Sequence, residues 1–372
     1  MKVLIATPLF PPDIGGPATY SKILADELPK RGHIPRLVIF SDVKHLPKGV
    51  SHFVYFWKIF WQALSSDIIL ALDPVSVGYP VLWAATLARK KFVLKIVGDY
   101  AWEQGIQRLG VTDLLDDFLD KKYDAPVERL RAVETKVAKK AARIITPSEY
   151  LKSVVSKWGI DPEKISVIYN SISFPESFFS REMAQNEIGV NASKIVLVSA
   201  GRFVPWKGFG ILMDAVADLS EKYSNINLFI IGEGPEYANL KSQISNLKID
   251  DKIKLLGPLP QNKLLVYLRA ADAFVLNTGY EGMSHQIIEA MVLGIPIITT
   301  LSGGNKELIS GYKNAIIAGY NNKEEWKDAL RKLIEERFTM VSYSAALSEE
   351  VLKKFSKERM ISQTLFVLKS LL

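Results

Sequence analysis

The chain of 372 residues contains no cysteine. That absence removes disulfides, thiolate zinc sites and cysteine nucleophiles together, and it suits a reducing cytoplasm. Long apolar runs are missing as well. The two longest uncharged stretches, residues 74–88 and 290–305, fall short of the roughly 20 residues that a membrane-spanning helix needs, and Gly294 and Pro296 interrupt the second. No transmembrane helix is expected. The first seven residues read as a short strand and lack the apolar region and cleavage site of a secretory leader. Neither a Gly-x-Gly-x-x-Gly fingerprint nor a Gly-x4-Gly-Lys-Ser/Thr phosphate loop occurs. Repeats of fixed period and low-complexity tracts are absent too.

What is present describes a folded protein. Hydrophobic residues make up 48% and charged residues 23%, the range of globular chains. At about 150 residues per domain, the length suggests two domains or one large one. Lysine and arginine number 47 against 40 aspartates and glutamates, a net +7. That excess favours anionic partners such as phosphates or a phospholipid surface, but it is spread too evenly to mark a nucleic-acid binder, so no nucleic-acid partner is expected.

Strand-like runs at residues 2–7, 36–40, 67–72, 92–97, 143–146 and 166–169 alternate with helix-period segments, the pattern of parallel βαβ units. The series pauses over residues 170–193, which are polar and weakly periodic, and resumes with runs at 194–199, 227–231, 253–256, 273–276, 295–299 and 315–317. The expected fold class is α/β with two doubly wound domains: residues 1–175, residues 176–348, and a C-terminal helix at 349–372 that packs back on the first. Apolar Val351, Leu352, Phe355, Met360, Ile361, Leu365, Phe366 and Leu368 favour packing over a membrane anchor for that helix.

Ligands of open α/β sheets bind beyond the carboxyl ends of the strands, and four loops there stand out. The first, Pro11 to Pro17 with the pair Gly15-Gly16, leads into a helix from about Ala18, where backbone and free amides can approach an anion; an ordinary glycine turn is the alternative. The second, Gly201 to Gly208, carries Arg202 and Lys207, a forked cation and a point charge suited to a diphosphate, with solvated surface charges as the alternative. The third, Gly232-Glu233-Gly234-Pro235, is weak alone. The fourth runs from Glu281 through Gly282, Met283, Ser284 and His285 to Glu289. Ser284 is a candidate N-cap, leaving the helix N-terminus to receive phosphate. Eight positions at about 100° leave roughly 80° after two turns, so Glu281 and Glu289 face one ligand if the first turn is helix-like. The plainer roles are a turn cap for Glu281 and a lysine partner for Glu289, and His285 reads as a helix-start residue rather than a base. Finally, residues 44–64 mix Lys44, His45, Lys48, His52 and Lys58 with Phe53, Tyr55, Phe56, Trp57, Phe60 and Trp61. That mixture suits an anionic membrane interface, with core filling as the alternative.

In this order the motifs resemble the retaining glycosyltransferases of family 4, whose GT-B fold sets two Rossmann-like domains facing each other across a cleft. Gly15-Gly16, Asn170-Ser171, Gly201-Arg202 to Lys207-Gly208, Gly232-Glu233-Gly234-Pro235, Gly257, the Glu-x7-Glu element Glu281 to Glu289, Gly294-Ile295-Pro296 and Gly303-Gly304 with Glu307 carry the resemblance over nearly the whole chain. It implies a nucleotide-sugar donor and transfer to a glycan or lipid-linked acceptor hydroxyl with retention. Arg202 and Lys207 would hold the diphosphate, Glu281 the transferred sugar and Glu289 the ribose, while Gly16 would lie against the donor from the other domain. Glu233, Gly234, Met283, Ser284 and His285 complete the donor set. Many relatives place a histidine after the fourth strand, where this chain has Gly98-Asp99, so Asp99 stands as the candidate for that polar role. The Asp-x-Asp pair of metal-dependent glycosyltransferases is missing, and neither a metal nor another cofactor is expected. The expected location is cytoplasmic, with peripheral attachment to the inner face of the membrane as an extension. A GT-B epimerase and a non-catalytic membrane- or polyanion-binding module are the alternatives.

Overall fold

The computed structural model describes residues 1–372 apart from Ile14, Lys48, Ser173, residues 175–179 and residues 345–347, and the side chains of all those described except 337–344 and 348. The chain divides into two units. Residues 1–170 with Lys357–Leu372 form the first, and Ser171–Ser356 the second. The expected junction at residues 175 and 176, with Pro175 and Ser177, lies outside the described residues.

In the first unit β1 (Lys2–Thr7), β2 (Ile34–Ile39), β3 (Ile68–Ala71), β4 (Phe92–Lys95), β5 (Arg143–Thr146) and β6 (Ile165–Val167) make one sheet in the order β2-β1-β3-β4-β5-β6. Every pairing is parallel, with Val3 opposite Ile68 on the inner strands. Strands covered on both faces need apolar residues at every position, which is why β1 and β3 read as unbroken aliphatic runs. Leu4 and Ala6 face a core built with Tyr55 and Ile59 of α2 (Val50–Leu64), Val81 of α3 (Gly78–Leu87), Val137 of α6 (Ala125–Lys140) and Val155 of α7 (Glu149–Lys157). Val3 and Ile5 face the opposite core, with Tyr20 and Leu24 of α1 (Gly16–Glu27). Two further helices, α4 (Tyr100–Arg108) and α5 (Leu115–Leu119), follow β4.

The second unit repeats the plan. Its strands β7 (Ile195–Ala200), β8 (Ile226–Ile231), β9 (Ile253–Leu255), β10 (Ala273–Leu276), β11 (Ile297–Thr299) and β12 (Ala315–Ile317) are parallel in the order β12-β11-β10-β7-β8-β9. Around them lie α8 (Arg181–Glu187), α9 (Phe209–Ser220), α10 (Tyr237–Leu247), α11 (Gln261–Ala270), α12 (His285–Val292), α13 (Asn305–Ile309), α14 (Lys323–Ser344) and α15 (Ser348–Lys354). Helix α8 falls inside the stretch expected to be irregular. Ser180 caps it by accepting from Met183 N at 3.1 Å, and Arg181 pairs with the fully buried Asp272, whose other oxygen accepts from Val196 N at 2.8 Å. A long-range ion pair thus fixes a helix too short to show a period.

The C-terminal segment is two helices where one was expected. Helix α15 packs on α12 in the second unit, while α16 (Lys357–Lys369) returns to the first and buries Met360, Ile361, Leu365 and Leu368 against α1 and the sheet. Tyr20 and Thr364 join hydroxyls at 3.0 Å across that contact. Leu352 and Phe366, assigned to the same apolar face, are exposed.

Candidate functional site

The loops that matter follow from strand order. Each sheet reverses direction once, between β1 and β3 in the first unit and between β7 and β10 in the second, and the loops leaving such a pair diverge and open a crevice. In the second unit those are the loops at 201–208 and 277–284. Three tethers hold them together. Asn277 donates to Gly208 O at 2.8 Å, Thr278 donates to Trp206 O at 3.2 Å, and Gly279 N donates to Trp206 O at 2.8 Å. The result is a direct ion pair between the Lys207 ammonium and the Glu281 carboxylate, with both side chains largely buried. Arg202, by contrast, is exposed.

A second loop fixes Glu281 from behind. Gly304 N donates to Glu281 O at 2.7 Å, and a methyl group added at Gly303 or Gly304 would overlap the Glu281 or Gly282 carbonyl. Gly303 also has φ +59°, which a side chain resists. Residues 281–284 are therefore a tethered loop and not a helical turn, so the 80° expectation does not govern how Glu281 and Glu289 point. Helix α12 begins at His285, partly exposed, and Ser284 caps it by accepting from Ile287 N at 3.3 Å. Met283 is buried beside the cap.

Glu289 lies on the buried face of α12. One carboxylate oxygen accepts from Gln261 Nε2 at 3.2 Å, while the other is buried with no partner. Burial pushes its carboxyl up to about 7, which is the electrostatic signature of a group waiting for donors. Among the described residues no lysine pairs with it, the plainer role weighed for it. Glu233 is exposed, and its loop closes on the Arg202 loop: Phe203 N donates to Glu233 O at 2.8 Å, and a methyl at Gly234 would strike the Phe203 backbone. That contact gives Gly234 a packing role.

In the first unit α1 starts at Gly16, two residues before the expected Ala18, with Gly15 at a cap that has no side chain. Among the described residues, a methyl at Gly16 would meet nothing within 4 Å. Asp99, the candidate for the polar role after the fourth strand, is held at a helix end. Its carboxylate is 1% exposed and caps α4 by accepting from Trp102 N at 2.8 Å. Glu134 of α6, equally buried, accepts from Ala101 N at 3.3 Å on the same helix end. Burial is the first cause that raises Asp99, to about 6, and Glu134 further, with mutual repulsion adding to the latter. Asp73, which follows β3, gathers Val75 N, Ser76 Oγ and Val77 N on one oxygen at 2.8, 2.9 and 3.1 Å. Asn277, Thr278, Gln261, Glu134 and Asp73 were not singled out by sequence. Asn277 sits directly after β10 and Asp73 two residues after β3, and position relative to the reversals of strand order is the signal that marks them.

The segment at 44–64 divides between its two readings. Tyr55 is fully buried and Phe56 and Phe60 pack partly on the core, while Phe53 and Trp61 are more than 60% exposed. Lys48 lies outside the described residues. Among the described residues, no helix is long and apolar enough to cross a membrane.

Comparison with known proteins adds the following. Residues 14–174 match the model of Glycosyltransferase Family 4, and residues 180–354 match that of Glycosyl transferases group 1. A D-inositol 3-phosphate glycosyltransferase of Pseudarthrobacter chlorophenolicus is 26% identical over 274 residues, 68% of this chain and 65% of that protein. Matches to further curated relatives span about half of their length. Among solved structures, Anabaena HepE in complex with UDP-glucose aligns over 100% of both chains at TM-score 0.77 and 19% identity. Sucrose-phosphate synthase from Thermosynechococcus elongatus aligns over 100% of this chain and 98% of its own at TM-score 0.79 and 15% identity. These likenesses establish the fold, two Rossmann-like domains of the GT-B class.

Proposed function

The chain belongs to the glycosyltransferases of family 4, and from that premise we propose that it transfers a hexosyl group from a nucleotide sugar to an acceptor hydroxyl with retention at the anomeric carbon. The Lys207–Glu281 pair at the β7/β10 reversal carries the reading. An ion pair in a crevice offers a cation to a diphosphate and an acceptor oxygen to sugar hydroxyls at once. Arg202 adds a forked cation, and the α12 N-terminus adds amides and a favourable dipole. Glu289, with one oxygen unpartnered, suits the paired hydroxyls of a ribose. As the anomeric carbon–oxygen bond to phosphate breaks, preorganised positive charge stabilises the departing diphosphate. The acceptor oxygen bonds to the same face and its proton passes to the leaving phosphate. Neither a metal nor a cofactor enters this scheme. Asp99 serves it indirectly, by fixing with Glu134 the loop that leaves β4.

UDP-sugars are the first donors to try, because HepE is described with UDP-glucose. The acceptor is a glycan or a lipid-linked glycan, met by a peripheral protein at the inner face of a membrane. A thermal-shift screen of UDP-, GDP- and ADP-sugars tests the donor: a ligand at 100 times its Kd adds about 2.7 kcal/mol. Release of nucleoside diphosphate with a new glycosidic bond is the expected reaction. A sugar nucleotide recovered intact but epimerised would replace transfer with epimerisation, and binding without turnover would leave a non-catalytic module.

A further inference from the structure

The first unit exposes an unusual amount of aromatic surface on two adjacent helices. On α2 the exposed residues Val50, Phe53, Trp57, Trp61 and Leu64 form a stripe, and the buried Ser51, Tyr55, Ile59 and Ala63 form another on the opposite side. Core packing therefore explains only half of this helix. Helix α3, packed against α2, continues the surface with Tyr79, Trp83 and Leu87, which are 37%, 46% and 58% exposed. Neither helix contains an aspartate or a glutamate. A contiguous apolar surface of this kind marks a binding face.

A basic rim adjoins it. Lys136 of α6 places its ammonium 4.8 Å from the Trp83 ring centroid and 5.9 Å from that of Tyr79. Lys139 and Lys140 continue from Lys136 along an open groove of about 450 Å³ that also includes Thr135 and, at its other end, Glu128, which is paired with Arg131 at 3.1 Å. All three lysines are exposed, and Lys58 adds an exposed cation on α2 itself. Arg131, at the far end of the groove, is occupied by the Phe118 ring and by carbonyls of its own unit.

We propose that the α2–α3 aromatic face together with the α6 lysine rim docks on an anionic phospholipid bilayer. Tryptophan and tyrosine favour the interface, where the ring is apolar and its polar edge stays wet, and lysines beside them reach lipid phosphates. A helix with one face in the core and an aromatic face outside lies in the plane of such an interface. Charge argues against a second copy of the chain as the occupant. A two-fold partner would bring the same lysines and no carboxylate from α2 or α3 to meet them, and like charges brought together oppose association. The surface stands independently of the transfer reaction. It rests on the proposed function for the membrane attachment itself and adds the face and the lipid chemistry that make it.

Sedimentation of the full chain with vesicles tests the assignment, with phosphatidylcholine alone set against an equimolar mixture with phosphatidylglycerol. Binding to the mixed vesicles is expected to exceed binding to the neutral ones by at least tenfold at low ionic strength and to fall by a similar factor at 0.5 M salt. The double variants Phe53→Ala/Trp61→Ala and Lys136→Glu/Lys139→Glu are each expected to lose about tenfold or more. These positions are exposed, and a circular dichroism spectrum and melting temperature matching the wild type show that the variants are folded. Nucleotide binding by the wild-type chain, read separately, judges the proposed function, so the two readings fail independently. Equal binding to both vesicle types, no binding to either, or variants that still bind would overturn the docking face. A concentration-dependent dimer in analytical ultracentrifugation that Phe53→Ala/Trp61→Ala dissolves would assign the face to a second copy instead.

Discussion

Lys207 and Glu281 stand 74 positions apart in the chain and meet as an ion pair where the second sheet reverses its strand order. Glu281 lies in a loop and Lys207 ends a single 3-10 turn, Pro205–Lys207, so neither is placed by a long element. The loop carrying Lys207 is tied to the loop carrying Glu281 through Asn277 and Thr278, and that second loop is backed by Gly303-Gly304. In the proposed donor site, the two charges are thus held in place before a diphosphate sugar binds, which keeps reorganisation small.

The pair predicts unequal stability costs for two cations that share one ligand. Lys207→Ala strands a largely buried carboxylate and should cost stability, whereas Arg202→Ala, at an exposed site, should cost less. Both should weaken nucleoside-diphosphate binding by roughly 1.5–3 kcal/mol, the worth of a charge-assisted hydrogen bond. Calorimetry for binding and urea melts for stability check this. In a double-mutant cycle, Glu281→Gln should restore part of the stability that Lys207→Ala loses. Independent, additive effects would show that the pair does not act as a unit.

Much of this architecture was legible. Aliphatic runs marked all twelve strands, because a parallel sheet covered on both faces keeps most positions apolar, and the exceptions, such as Lys95 and Asn227, are single residues within those runs. The ends were less exact: β4 stops at Lys95, two residues early, and α1 starts at Gly16. What sequence did not show was set by contacts between distant residues. Helix α8 is short and held by Arg181 on Asp272, and no local period announces that. The placement of Glu281 depends on the Gly303-Gly304 loop, and the second carboxylate at the Asp99 helix end comes from Glu134, 35 positions away along the chain (134 against 99).

Division of labour between the two glutamates gives a second prediction. Glu281→Gln should depress sugar transfer far more than binding of the bare nucleoside diphosphate, and Glu289→Gln should depress both. Glu289 also has a proton signature. Its carboxyl sits near 7 in the free protein, and hydroxyl donors from a ribose stabilise the charged form. Nucleotide binding should therefore tighten as pH rises toward 7 and release a proton at pH 6.5, seen as a dependence of binding heat on buffer ionisation enthalpy. Glu289→Gln should abolish that dependence. Its persistence would remove Glu289 from the nucleotide site.

The same carboxyl affects stability without ligand. With the folded value raised from 4.5 to about 7, the folded state holds more protons than the unfolded state between those limits. Stability from this group is thus full below pH 4.5 and falls as pH rises to 7. Glu289→Gln should gain on the wild type across that window, so the difference in melting temperature should favour the variant more at pH 8 than at pH 5. A constant difference would mean that the carboxyl titrates normally.

Metal independence gives a test of the chemistry. Positive charge in the proposed donor site comes from Arg202, Lys207 and the α12 N-terminus, and the sequence has no Asp-x-Asp pair to hold a cation. Transfer rates should be the same with excess chelator and with added magnesium or manganese. A loss of activity under chelator that magnesium restores would assign part of the diphosphate's neutralisation to a bound cation.

Two glycine substitutions separate architecture from ligand contact. At Gly303 a methyl group meets the Glu281 carbonyl, and φ is +59°. Gly303→Ala should therefore destabilise the second unit by about 2–4 kcal/mol, in the range of strained and overpacked sites, and should displace Glu281 as it does so. At Gly16 nothing among the described residues stands within 4 Å of the added methyl, and the residue opens a helix. Gly16→Ala should leave the melting temperature within a degree or two, because exposed helical alanine costs nothing relative to glycine. Its activity should nonetheless fall by at least tenfold if donor atoms occupy the open space over the α1 N-terminus. Calorimetric melting and initial transfer rates measured on both variants decide the matter. Full activity in Gly16→Ala would move the donor away from α1 and leave the Gly15-Gly16 pair as a turn.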